Sequence, residues 1–264
     1  MPQLLVFTDV DGTLLDHETY QWEAARPALE ELKAQQVPVI LCTSKTWAEV
    51  LPLRETLGLE HPFVVENGGA IYFPVNYFPN APTAGRAEAG FQVVELGVRY
   101  PRLVRALEEE ARASGVKVRG FSRMTEEEVG RLCGLSPAAA RRARQREYDE
   151  PFLIEQGGRQ QKEDFFHRLR ERGLRWRAGG RFLHLLGGSD KGKAVTRLLE
   201  LYRSRYGALR SVGLGDSPND LDFLAEVDIP VLVARPDGSH DATLCSNLPH
   251  ARLAPGIGPV GWNQ

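Results

Sequence analysis

Cysteine is scarce: only Cys42, Cys133 and Cys245 occur in 264 residues, and none is spaced from another as metal ligands are. So sparse and odd a set excludes a disulfide framework and suggests reduced thiols in a cytoplasmic setting. Long apolar runs are missing too. None approaches the roughly 20 residues of a membrane-spanning helix, so no membrane association is expected. Met1–Val10 carries no basic region or cleavage site, so no signal peptide is expected. Internal repeats and low-complexity tracts are absent. Lysine is rare beside arginine, a bias that fits heat adaptation or genome composition alike. Charge of either sign is not in excess: the net of −2 argues against general nucleic-acid binding. What is present is ordinary for a globular chain, with 42% hydrophobic residues, which sets disorder and fibrous classes aside.

The charge is nevertheless uneven. Residues 84–185 hold 21 Lys+Arg against 15 Asp+Glu, and the remainder 12 against 20. An acidic outer portion could hold a cation while a basic middle portion attracts an anionic substrate. Solvated helix faces would give the same imbalance.

The chain opens as alternating strands and helices. Leu4–Thr8 is a buried-strand run, Ala28–Gln35 has helical spacing behind Pro27, and Val37–Cys42 is a second strand. Trp47–Leu57 reads as a helix stopping at Gly58, Phe63–Glu66 as a third strand, and Ala70–Phe73 as an edge strand or hairpin arm. This order predicts an α/β fold with a mostly parallel sheet and helices on both faces. Pro74–Pro82 then forms a linker, after which the pattern changes. Phe91–Leu96 is a strand, Arg102–Ala113 a helix, Thr125–Glu128 a capping box, and Ser136-Pro137 starts a helix running to about Arg146. Two arms around Gly179-Gly180, within Arg175–Leu186, form a hairpin. The α/β pattern resumes with a helix capped by Ser189 or Asp190 and ending at Gly207, the strand Ser211–Gly215, the helix Leu221–Glu226 and the strand Ile229–Ala234. One domain interrupted by an α+β insertion explains this order: 1–83 plus 186–264 as the core, 84–185 inserted.

Two acidic clusters follow apolar strands. In Asp9-Val10-Asp11-Gly12-Thr13, alternation sets Asp9 and Asp11 on one side at the carboxyl end of a strand, where open α/β sheets bind ligands. Such carboxylates repel unless a cation or a proton intervenes. A calcium loop uses similar letters, but Leu14 and Leu15 would fall inside its twelve residues. Gly213-Leu214-Gly215-Asp216-Ser217-Pro218-Asn219-Asp220 is the second cluster. Asp216 can ligate a hard cation such as Mg²⁺, while Asn219 and Asp220 are placed to orient the ligands or to donate to phosphate. The Thr43-Ser44 hydroxyls end the second strand, where they either donate to a phosphate oxygen or cap the helix at Trp47. Lys191 stands at a helix start, disfavoured by the helix dipole unless an anion is near; Lys193 should face solvent.

These four stations in order, Asp9–Thr13, Thr43, Lys191 and Gly215–Asp220, resemble the haloacid dehalogenase (HAD) superfamily of phosphotransferases. Glu66-Asn67-Gly68-Gly69-Ala70 and the insertion look like the Cof-type subclass with a large α/β cap. Thr43-Ser44-Lys45-Thr46, Arg146-Glu147-Tyr148-Asp149-Glu150-Pro151-Phe152 and Gly180-Arg181-Phe182-Leu183-His184 are similar to the mannosyl-3-phosphoglycerate phosphatase family. Relatives more commonly carry Thr-Gly-Arg where this chain has Thr43-Ser44-Lys45. The likeness is weakest after about Asp237.

The resemblance implies a Rossmann-like HAD core with an inserted cap. It implies Asp9 as nucleophile, Asp11 as acid and base, and Thr43 and Lys191 on the phosphoryl oxygens. Mg²⁺ would rest on Asp9, the backbone carbonyl of Asp11, and Asp216. Ser44, Lys45, Asn67 and Asn219 join the substrate-binding set, with Asp220 behind them. From the cap, Arg146, Glu150 and Arg181 are candidates for the carboxylate and sugar hydroxyls, although each could instead sit in a structural ion pair. His167 and His184 are read as surface or packing residues, and Phe165, Phe166 and Leu169 as cap core. The expected partner is a small phosphorylated sugar-glycerate. Rival substrates are sucrose phosphate and hexose phosphates, and a phosphomannomutase shares the scaffold. The oligomeric state stays open, a homodimer included.

Overall fold

The computed structural model describes residues 2–79, 86–179 and 181–264. Leu4–Phe7 are apolar without alternation, the mark of a strand covered on both faces. They form β1 (Gln3–Thr8) at the centre of the molecule. The chain crosses through α1 (Arg26–Ala34), with Pro27 in its first turn, to β2 (Val39–Cys42), then through α2 (Trp47–Leu57) to β3 (Phe63–Val65). Gly58 ends α2 with φ 61°, as its position predicts. β4 (Ala70–Pro74) returns antiparallel to β3, so it is a hairpin arm. It is no edge strand, because β5 (Arg86–Glu88) and β6 (Phe91–Glu95) extend the sheet beyond it. The expected insertion 84–185 therefore divides: its first two strands stay with the large sheet, where the β4/β6 pairing buries Val93. Residues 80–82 of the expected linker, and Gly180 of the hairpin, lie outside the described residues.

Beyond Glu95 the chain builds a second layer. α3 (Tyr100–Ser114), β7 (Lys117–Gly120), α4 (Glu126–Cys133), α5 (Pro137–Ala143), β8 (Asp149–Gln156), α6 (Arg159–Glu171), β9 (Arg175–Gly179) and β10 (Phe182–Leu186) follow in turn. The strands make an antiparallel sheet in the order β7-β8-β10-β9. Thr125 and Glu128 form the expected capping box of α4. α5 stops short of Arg146 because the Arg146 side chain turns back, its Nε donating to the Ala143 carbonyl at 3.0 Å. Pro151 hid β8 from sequence reading. It is tolerated where β7 has already ended: Pro151 pairs with His184 on one side, while β7 pairing begins only at Phe152.

The return segment supplies α7 (Lys191–Tyr206), β11 (Leu209–Gly215), α8 (Leu221–Leu224), β12 (Ile229–Ala234), α9 (Ala242–Asn247), β13 (Arg252–Ile257) and α10 (Pro259–Trp262). The large sheet runs β13-β12-β11-β1-β2-β3-β4-β6-β5, parallel from β13 to β3. Alternation splits its core: Val6, Leu29, Val50 and Phe63 lie on one face, Leu5, Phe7, Val195 and Tyr202 on the other. In the second layer, Leu103, Phe152, Phe165 and Leu169 pack between sheet and helices, with Phe166 at their edge, as the helical spacing predicts. Each fully buried Leu or Phe contributes about 1.5–3 kcal/mol. Among the described residues no helix is long and apolar enough to cross a membrane.

Candidate active site

β1 and β11 lie side by side, so the loops leaving their carboxyl ends meet. Asp9 is buried directly after β1, its amide donating to the Leu214 carbonyl at 2.9 Å. The chain then folds back through Gly12, whose φ of 82° suits glycine alone. A Cβ on Gly12 would come within 2.9 Å of Asp216 Oδ2, so the turn also depends on glycine to bring the two acidic loops together. Thr13 Oγ1 donates to Asp216 Oδ1 at 2.9 Å. Asp220 Oδ2 accepts from the amides of Asp216 and Ser217, both at 3.2 Å.

Lys191 enters from the start of α7, which Asp190 caps by accepting from the Lys193 amide at 2.8 Å. Its side chain is buried, and Nζ donates to Asp9 Oδ1 at 2.6 Å and Asp220 Oδ1 at 2.7 Å. Lys193 is exposed, as expected. Gly68, at φ 90°, permits this docking; a Cβ there would strike the Asp190 carbonyl.

Oxygens of Asp9, Asp216 and Asp220 all lie within 4.8 Å of one another. Burial, with Asp220 and Asp216 adding repulsion, pushes Asp9 well above the usual carboxylate range against the pull of Lys191. Burial and Asp220 likewise push Asp216 up to about 7. Burial works against the Lys191 ammonium, but Asp220 and Asp9 more than reverse it and leave its pKa above the usual lysine value. Three buried carboxylates against one ammonium leave negative charge uncompensated. Asp9 Oδ2 and Asp216 Oδ2 take no hydrogen bond among the described residues. This all-oxygen set fits a hard divalent cation. Asp220, by contrast, has both oxygens engaged, one by Lys191 and the other by the amides of its own loop.

The other stations surround this cluster. Asp11 lies outside it, its Oδ2 2.9 Å from Lys45 Nζ, and Lys45 stands over the Tyr20 ring. Thr43 is buried at the end of β2, its Oγ1 accepting from the Lys45 amide at 3.1 Å. The capping alternative falls away: Thr46, with Glu49, caps α2. Asn219 keeps its side chain half-exposed, and its Oδ1 accepts from Ser217 Oγ.

A haloacid dehalogenase-like hydrolase model matches residues 6–79, which hold the first two stations. Over 260 residues the chain is 42% identical to the glucosyl-3-phosphoglycerate/mannosyl-3-phosphoglycerate phosphatase of Methanococcoides burtonii, covering 98% of this chain and 94% of that one. It is 37% identical over 230 residues to the mannosyl-3-phosphoglycerate phosphatase of Pyrococcus furiosus, covering 87% and 90%. The chain belongs to the mannosyl-3-phosphoglycerate phosphatase family, within the HAD superfamily. The sucrose-phosphatase of Synechocystis sp. PCC6803 shares the fold, with a TM-score of 0.59 over 99% of this chain and 95% of that one, at 16% identity. A Rossmann-like HAD core with an added cap describes the architecture.

Of the three cap candidates, only Arg146 reaches the core beside a phosphate station, at the Ser44 carbonyl next to Thr43. Glu150 is buried on the β8 face opposite Asp149, its oxygens taken by Ser122 (2.6 Å from Oγ) and the Tyr100 hydroxyl (2.6 Å). Arg181 lies on the surface and donates to the Leu132 carbonyl at 2.7 Å. Arg146 braces the junction between the layers, donating to the Ser44 carbonyl at 2.9 Å and to Asp149 at 3.3 Å. Asn67 also faces that junction, with φ 55° and Nδ2 donating to Asp149 Oδ2 at 3.0 Å. Sequence reading missed Asp149 and His184, which are buried together with His184 Nδ1 2.8 Å from Asp149 Oδ2. His167 is exposed and His184 buried, within the surface-or-packing reading, to which the structure adds the bond from His184 to Asp149. The signal available was its place between buried Phe182 and Leu186 on one face of an alternating strand.

A mostly apolar cavity of about 580 Å³ opens elsewhere, against Leu32, Val231, Leu253 and Trp262. None of the cluster carboxylates lines it, so it is not the phosphate site.

Proposed function

We propose that this chain hydrolyses mannosyl-3-phosphoglycerate to mannosylglycerate and phosphate through an aspartyl-phosphate on Asp9. The observation that carries the chemistry is the Asp9 carboxylate: one oxygen is fixed by Lys191 and the other takes no hydrogen bond among the described residues. The activities named for relatives covering nearly the whole chain support the substrate. They do not favour a sucrose phosphate, a hexose phosphate or a mutase.

An Asp9 oxygen attacks phosphorus in line, and the bond from phosphorus to the glycerate oxygen breaks. Asp11, at the rim beside Lys45, gives a proton to that leaving oxygen. Water then attacks the same phosphorus, Asp11 takes its proton, and the bond to Asp9 breaks. Lys191 and the Thr43 hydroxyl hold phosphoryl oxygens through both steps. Asp220 keeps Lys191 pointed at Asp9. Mg²⁺ is the cation proposed; Asp9, Asp216 and the Asp11 carbonyl would hold it, and it would neutralise charge on the transferring group. The layer built on β7–β10 selects the substrate. The free thiols fit a cytoplasmic, reducing setting.

A second reading, activity on glucosyl-3-phosphoglycerate as well, is favoured by the double name of the Methanococcoides relative. Phosphate release with Mg²⁺ is to be measured on both compounds, 3-phosphoglycerate, sucrose 6-phosphate and mannose 6-phosphate. Preference for the mannosyl compound supports the first reading, and equal rates on the two glycosyl compounds support the second. Preference for any other member replaces the substrate.

A further inference from the structure

The cap sheet has two unlike faces. Phe152 and Leu185 pack against α3 and α6, and Trp176 stacks on Phe166 at 4.3 Å, which fixes that face as the helix side. Alternation and register put Asp149, His184, Arg175 and Arg177 on the other face, with His184 directly across from Arg177. Core contacts bracket this face. Arg177 Nη2 donates to Asp222 Oδ2 at the start of α8, and β9 packs against the Pro218–Asp220 turn. At the other end, His184 binds Asp149, Asp149 accepts from Asn67, and the Asn67 amide donates to the Thr43 carbonyl at 3.0 Å. The strip is thus tied to the Thr43 backbone at one end and to the Pro218–Asp220 turn of the fourth station at the other.

The chemistry of the strip is that of a receptor for a second anion. Burial works against an ionised Asp149, but His184, Arg146 and Asn67 more than offset it, holding its carboxyl below the usual aspartate value. An ionised carboxylate only accepts, so His184 Nδ1 carries the hydrogen and Nε2 is left for another partner. The ring edge bearing Nε2 lies against Gly179, where a Cβ would come within 2.9 Å of it. Asp222 engages one Arg177 nitrogen; Nε and Nη1 take no bond among the described residues. Of the arginines that sequence alone suggested for this task, Arg146 is tied to the Ala143 and Ser44 carbonyls and to Asp149, and Arg181 lies on the surface against the Leu132 carbonyl.

We infer that Arg177, on the strand position across from His184, forms with the His184 imidazole the subsite for the carboxylate of the leaving group. Arg177 supplies the charge and the planar fork that matches a carboxylate, and Asp149 fixes the imidazole. Selection for a carboxylate-bearing phosphate ester therefore resides on β9 and β10, while the phosphate stations stay indifferent to it. This rests on the phosphatase reading above.

The test compares mannosyl-3-phosphoglycerate with its carboxyl methyl ester, which keeps the sugar and the phosphate but removes the negative charge. The wild type should prefer the free acid in kcat/KM by roughly 10–100-fold, the range of a charged hydrogen bond. Arg177→Ala should bring that ratio to within a few-fold of unity, Arg177→Lys should keep part of it, and His184→Gln should lower it. Arg177 is partly exposed, so the Arg177 pair decides the matter should the His184 variant fail to fold. A merely structural role, or a latch on Asp222 alone, would lower both substrates equally and leave the ratio unchanged, which overturns the inference. A wild type that prefers neither form also overturns it, while leaving the phosphatase reading intact. A wild type that releases no phosphate from either overturns both.

Discussion

The indole N–H of Trp262 donates to Thr8 Oγ1 at 2.9 Å, joining the last helix of the chain to the strand that carries the candidate nucleophile. Thr8 in turn donates to the carbonyl of Asp9 at 2.7 Å. Both residues are buried, so the tail is a brace for β1. Trp262→Phe should cost about 1 kcal/mol, the net worth of one hydrogen bond, and Trp262→Ala about 3–5 kcal/mol through the cavity it leaves. Urea unfolding midpoints check both; a tail that only drapes the surface would shift neither.

Asp9→Asn removes the attacking anion while keeping the shape of the side chain. Phosphate release should fall to background, and single-turnover experiments should trap no phosphorylated protein. Full activity in this variant would remove Asp9 from the mechanism.

Lys191 faces two carboxylates in a buried site. Lys191→Met should destabilise the fold by about 3–5 kcal/mol, because the charges it leaves cannot reach water. Phosphate release should fall by at least about 10²-fold, the scale of one lost electrostatic donor. Adding Asp220→Asn to Lys191→Met should recover stability without activity. Recovery of both in the double variant would show Lys191 to be structural only.

Protons and the cation compete for the Asp216 carboxylate, whose pKa burial and Asp220 raise to about 7. Mg²⁺ requires the ionised form, so its affinity should weaken as pH falls below about 7, by up to about tenfold per unit for one proton displaced. Calorimetric titration of Mg²⁺ on either side of that pH tests the sign. Excess EDTA should abolish phosphate release, and added Mg²⁺ should restore it.

Glu66 is fully buried and accepts from the amides of Glu147 and Tyr148 (2.8 Å from the latter). Burial pushes its carboxyl from the ordinary 4.5 up to about 8, against the pull of Arg146 and these amides. Between those values the folded protein holds a proton that the unfolded chain releases. The stability this group contributes is complete below 4.5 and is lost as pH rises through about 8. Relative to Glu66→Gln, the wild type should lose up to about 1.4 kcal/mol per pH unit across that window. A constant difference in denaturation midpoints would contradict it.

Local chemistry was legible in the chain itself. Asp9, Asp11 and Gly12 follow one apolar-rich strand, and Asp216 and Asp220 follow another, so a parallel sheet had to bring both to one edge. Thr125 with Glu128, Gly58 and Asp190 mark helix ends because caps are set by neighbours in sequence. Which charges are spent and which are free was decided only by packing across layers. Arg146, Glu150 and Arg181 look in sequence like ligands, yet each finds a protein acceptor or donor far along the chain. His184 and Asp149, 35 positions apart, meet because β8 and β10 pair in a register that no local pattern specifies. The partnership of Trp262 with Thr8 has the same origin: a short helix and an edge strand carry too little periodicity to read, and only closure of the sheet places them under the nucleophile.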